Sequence, residues 1–72
     1  MEYKIGDIVV HKTLGRGEVI YTDERKDTFG RTLYYFDVHF DNDKKYQVRQ
    51  FSPESIKPFL VEHIPGKDPE EA

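Results

Sequence analysis

Three histidines, His11, His39 and His63, are the side chains of this sequence best suited to hold a metal or move a proton. No two of them stand at the i, i+4 or short-loop spacing that prepares a metal site. There is no cysteine to complete such a site or to act as a nucleophile. For His11 a structural hydrogen bond from the ring is the simpler role. Carboxylates are plentiful, but most fall in loop-like or outward positions where nothing would shift their pKa towards acid–base work. Ser52 and Ser55 read as cap and turn residues, not as members of a triad. The expectation is a non-enzyme with no cofactor, no metal site and no small-molecule substrate.

The chemistry left is that of contact. Ten aromatic residues are present. Exposed rings can bind cations, but most of these fall on inward positions, where a small core needs them as filling. Tyr35 and Phe29 are the exceptions, one outward and one in a loop. With Lys26 and Arg31 they form the candidate contact set for a protein partner. A second set, Lys12, Arg16, Lys44, Lys45 and Arg49, would form an oligonucleotide surface if the glycine turn and the Lys44–Gln50 stretch lay side by side. Asp41, Asp43 and Glu18 are interleaved with it, so a charge-balanced solvated face is preferred.

These residues need strands to position them. Gly6 to Val19 reads as strand, glycine turn, strand. Ile8, Val9 and Val10 suit a pleated, half-buried surface. Gly15 and Gly17 suit a sharp reversal or bulge, and Gly6, Asp7, Gly15 and Gly17 are expected to be structural. A strand over Asp7–Lys12, a turn over Thr13–Gly17 and a strand over Glu18–Thr22 follow, with Val19 and Tyr21 inward. Asp23 to Arg31 is polar and reads as an exposed loop, either a solvated connection or a mobile recognition segment. Thr32 to Phe40 alternates strictly, with Tyr34, Phe36, Val38 and Phe40 inward. After a turn at Asp41–Asp43, Lys44 to Gln50 returns with Tyr46 and Val48 inward and Lys45, Gln47 and Arg49 outward. Ser52-Pro53-Glu54-Ser55 suits one helical turn, with Ser52 as cap. Ile56 to Val61 reads as the last strand. Tyr3 and Ile5 are expected to cover one end of a barrel.

Seventy-two residues allow one domain with a small core. The net charge of −3 is carried by residues 62–72, and residues 1–61 are neutral. The bulk charge therefore gives no sign of a phosphate-binding field. No apolar stretch approaches the ~20 residues that span a bilayer. No signal peptide is visible, so a cytoplasmic chain without membrane contact is expected. The expected organisation is an all-β, five-stranded SH3-like (Tudor-like) barrel over residues 1–61, with one short helical turn before the last strand. A disordered acidic tail over 62–72 completes it.

The spacing Gly6-Asp7, Val9, His11, Gly15, Gly17, Val19 resembles the opening of two related bacterial modules. One is the Tudor-like carboxy-terminal domain of UvrD/PcrA-type helicases. The other is the RNA-polymerase-interacting domain of CarD and the transcription-repair coupling factor. The similarity continues through Val38-x-Phe40-Asp41, Lys45 and Ile56–Phe59. It implies a module that docks on RNA polymerase or a DNA-repair and transcription complex, partly through an exposed strand edge. Direct nucleic-acid binding and homo-oligomerisation by edge pairing are the alternatives. Those modules are joined to a helicase motor or to a helical domain, and neither is expected with this chain.

Overall fold

The alternation in Thr32–Phe40 makes it an interior strand of an antiparallel sheet. The computed structural model describes residues 2–42 and 48–66. Its strands are β1 (Ile8–His11), β2 (Gly15–Lys26), β3 (Thr32–Phe40), β4 (Val48–Phe51) and β5 (Leu60–Ile64), in the spatial order β4-β3-β2-β1-β5. Every pairing is antiparallel. β4 and β5 are the two edges, so the sheet is not closed.

Side chains directly opposite one another in an antiparallel pair share a face. The rows Val9–Gly17–Phe40 and Val19–Val38 therefore point the same way, into the core. Ile56 and Tyr3 fill the remaining space, and Leu14, Phe51 and Leu60 pack around them. The Tyr3 ring stacks on Phe36 at 4.1 Å and on His63 at 4.4 Å. Tyr3 is thus part of the core, while Ile5 is exposed.

A short helix α1 (Pro53–Ile56) delivers Ile56 to the core. Ser52 accepts from the Ser55 N–H, and the Ser55 hydroxyl accepts from the Ser52 N–H, so two amides at the helix start are satisfied reciprocally. Pro53 fits the first turn because no N–H is needed there.

Several expectations are corrected. The turn before β2 covers only Lys12–Leu14, and Gly15 and Gly17 already lie in the strand. A register shift at Ile20 turns Tyr21 outward, because one extra residue reverses the alternation. β2 runs on to Lys26, so the expected nine-residue loop shrinks to the turn Asp27–Arg31.

In β4 the inward and outward sets are exchanged. Val48 lies opposite His39 on the outer face and Arg49 opposite Val38 on the core side, as a one-residue change of register dictates. Residues 56–59 are helical, not strand: the capped turn continues into a 3-10 turn at Lys57–Phe59, with Pro58 in its first positions. β5 extends to Ile64, past the boundary expected at Val61, and Gly66 donates to Asp7. Lys44, Lys45, Tyr46, Gln47 and residues 67–72 lie outside the described residues.

Candidate docking surface

Among the described residues β1 covers β2 only over Gly15–Glu18, and β4 covers β3 only over Phe36–His39. Beyond them, Tyr21–Lys26 and Thr32–Tyr35 pair with each other, apart from the Tyr21–Asp37 and Thr22–Phe36 pairs at the base. The result is a two-stranded ribbon projecting from the sheet.

Asp27 locks its tip. One carboxylate oxygen accepts the Phe29 and Arg31 amides, both at 2.9 Å, and the other accepts the Arg31 Nε at 2.9 Å. The Gly30 N–H closes on the Asp27 carbonyl, with Gly30 at φ 80°, a left-handed conformation that glycine adopts at no steric cost. The Arg31 amide, followed by its guanidinium and the Phe29 amide, holds the Asp27 carboxyl below the usual carboxylate range. Phe29 stands at the tip with 82% of its surface exposed, and the Arg31 guanidinium lies 5.6 Å from its ring centre.

The two faces of the ribbon differ. Tyr21, Asp23 and Arg25 with Leu33, Tyr35 and Asp37 form the outer face. There the Arg25 guanidinium sits 4.9 Å from the Tyr35 ring centre and its Nε bonds Asp23 at 2.9 Å. Thr22, Glu24 and Lys26 lie on the core side, opposite Phe36, Tyr34 and Thr32.

The backbone of the ribbon is half used. The Asp27 N–H bonds the Arg31 carbonyl at 3.0 Å, which sets the phase of the ladder. Antiparallel pairs alternate between bonded and non-bonded, so Arg25–Leu33 and Asp23–Tyr35 are the bonded pairs that follow. Thr22, Glu24 and Lys26 therefore aim their N–H and C=O groups away from β3, along an open edge. That edge borders a shallow cleft whose walls are Tyr3, Lys4 and Ile5 on one side and Thr22, Asp23 and Glu24 on the other. On the other strand, Thr32 and Tyr34 have the same outward phase. Sequence reasoning missed Thr22 and Glu24 because charged residues on both faces of a two-sided ribbon carry no alternation. The available signal was Asp27 followed by Gly30, the first and fourth positions of a turn, which places the strand end at Lys26.

The described members of the basic set, Lys12, Arg16 and Arg49, do not gather in the same way; Lys44 and Lys45 lie outside the described residues. Arg16 is paired with Asp41 at 2.7 Å and lies opposite Val10, on the outer face. Arg49 lies on the core side, opposite Val38. Lys12 is exposed in the turn after β1, its N–H held by the Phe59 carbonyl at 2.7 Å.

Of the four structural residues, Gly6 and Asp7 lead into β1, and Gly15 and Gly17 lie in β2 opposite His11 and Val9. Gly6 donates to the Val19 carbonyl, and Val19 donates back to Asp7, both at 2.8 Å. Asp7, 2% exposed, accepts from the Lys4 N–H at 3.0 Å, His63 Nε2 at 2.8 Å and the Gly66 N–H at 2.7 Å. Burial opposes ionisation of Asp7, but the bonds from Gly66, His63 and Lys4 outweigh it and hold the carboxyl below its ordinary value. His11 Nδ1 accepts the Thr13 and Leu14 amides, each at 3.1 Å, so the turn is built on a neutral ring. Burial, and then the charge of Arg49, push His11 below the usual histidine value. No group of three or more metal-ligating side chains occurs among the described residues.

Comparison with protein-family models, curated proteins and solved structures finds no match to this chain.

Proposed function

We propose that this chain is a non-enzymatic protein-interaction module, an opened form of an SH3-like (Tudor-like) barrel, that docks through the outer edge of β2. The observation that carries the reading is the row at Thr22, Glu24 and Lys26, which has no second strand partner among the described residues, on a ribbon whose tip is locked by Asp27. An extended segment of a partner can add a strand there, taking affinity from main-chain hydrogen bonds and specificity from alternate side chains. Phe29 at the tip and Tyr35 on the outer face of the ribbon supply aromatic contact area, and a rigid turn lowers the ordering cost of binding. RNA polymerase, or a DNA-repair and transcription complex in the cytoplasm, is the partner class that the resemblance of the Gly6–Val19 segment implies. Among the described residues no helix is long and apolar enough to cross a membrane.

Nucleic-acid binding draws less support, because Arg16 is already paired and Arg49 lies on the other face. The test is calorimetry against purified RNA polymerase with the parent chain, Phe29→Ala, Tyr35→Ala and Glu24→Pro. The reading predicts that the parent binds and that each ribbon variant, still folded, binds at least about tenfold more weakly. Absence of binding by the parent removes RNA polymerase as partner. Full binding by Glu24→Pro removes the edge.

A further inference from the structure

The edge of β2 carries as many acidic as basic side chains, and these charges have an order. Thr22, Asp23, Glu24, Arg25 and Lys26 follow one another, and the ribbon sorts them onto two faces. On the outer face Asp23 and Arg25 neutralise each other at 2.9 Å, and Arg25 also rests against Tyr35. On the core side Glu24 and Lys26 have no ion pair among the described residues. Glu24 and Lys26 are also two of the residues whose backbone groups face the open edge.

We infer that the edge selects an extended peptide segment carrying an acidic residue opposite Lys26 and, two positions later, a basic residue opposite Glu24. The inference rests on the docking reading above and adds the chemistry of the partner. The added strand runs antiparallel to β2, as does every other pair in this sheet, and antiparallel pairing is the more stable arrangement per residue. Residues directly opposite then stand with Cβ atoms about 5 Å apart, close enough for opposite charges to attract and like charges to repel. The intervening positions meet Arg25 and Asp23, which are already satisfied by each other, so they favour neutral β-formers. The position opposite Thr22 faces the cleft wall of Tyr3 and Ile5, which suits an apolar side chain. The pattern is acidic, neutral, basic, neutral, apolar. The same charges that discourage indiscriminate pairing of an exposed edge thus discriminate between partners.

The probes are two blocked seven-residue peptides, TEVKVVT, which matches the pattern, and its charge-reversed twin TKVEVVT. Each is titrated into the labelled chain while the backbone amide resonances are followed by NMR. The expected result is perturbation concentrated at Thr22–Lys26, with the matched peptide binding about tenfold more tightly at low salt. The difference should shrink in 1 M salt, where exposed charges are screened within about 3 Å. The double variant Glu24→Lys with Lys26→Glu should invert the preference. Equal binding of the twins at Thr22–Lys26, or no inversion in the double variant, overturns the charge pattern and leaves edge docking standing. Perturbation confined to β4 or β5, or no perturbation with either peptide, overturns the edge assignment itself.

Discussion

Asp7 and His63, 56 positions apart in the chain, meet at 2.8 Å between Oδ2 and Nε2. The contact ties the entry to β1 to the far end of β5, and the Gly66 N–H bonds the other oxygen of the same carboxylate. Among the described residues the core holds seven buried apolar side chains, so in a chain this short a clasp between its two ends adds to a small store of stability.

Replacing Asp7 by Ala leaves the Lys4 and Gly66 amides and the His63 ring without their acceptor. The expected cost is about 3 kcal/mol, read as a lower urea midpoint at pH 7. Because the folded carboxyl lies below its ordinary value, its contribution is complete above the unfolded pKa and is lost as pH falls through the folded one. The gap between parent and Asp7→Ala should therefore close as the pH drops below about 4.

His11 has the other sign. Its folded value is depressed for a base, so the fold favours the neutral ring, and its contribution is lost as pH falls through the ordinary histidine range and below it. His11→Phe keeps an aromatic ring against Phe59 but removes the acceptor for Thr13 and Leu14. It should be less stable than the parent at pH 7, by about 1–3 kcal/mol, and the difference should narrow by pH 5. A gap that widens on acidification contradicts the neutral-ring account.

Gly15 and Gly17 should fail for different reasons. Gly15 holds φ 82°, so Gly15→Ala costs about 1 kcal/mol in backbone strain. A Cβ on Gly17 would stand 2.6 Å from Val38 Cγ1 and 2.8 Å from Phe40 Cδ1, inside the core. Overpacking of that kind costs about 1–3 kcal/mol, so Gly17→Ala should melt lower than Gly15→Ala. Thermal melts of the two variants decide the order.

Proline distinguishes the two phases of β2. At Glu24 the lost N–H faces the open edge, so Glu24→Pro should fold with little loss of stability. At Asp23 the lost N–H belongs to the β2–β3 ladder, so Asp23→Pro should cost about 1–3 kcal/mol more. Circular dichroism melts measure both, and equal damage from the two contradicts the assigned phase.

The parts of the fold that were legible in the sequence are those with one wet and one dry face. The inward placement of Phe36, Val38 and Phe40 followed from alternation, and the cap at Ser52 followed from its neighbour Pro53. The ribbon was not legible, because both its faces are largely wet and period 2 vanishes beyond Tyr21. Tyr21 itself was misplaced by a single extra residue at Ile20, which no pattern announces. The faces of β4 depend on the register reached after the turn, and one position exchanges Val48 with Arg49. Of the candidate contact residues, Phe29, Arg31, Tyr35 and Lys26 do share one ribbon. The backbone edge between them, with Thr22 and Glu24, emerges only from pairing between strands.

Residue-resolved amide hydrogen exchange is the most direct test of the open edge. In the free chain Asp23 and Arg25 should exchange slowly and Thr22, Glu24 and Lys26 quickly, and saturation with TEVKVVT should slow those three. Uniform protection of residues 22–26 in the free chain, or unchanged exchange of Glu24 and Lys26 in the presence of bound peptide, would contradict docking along the edge of β2.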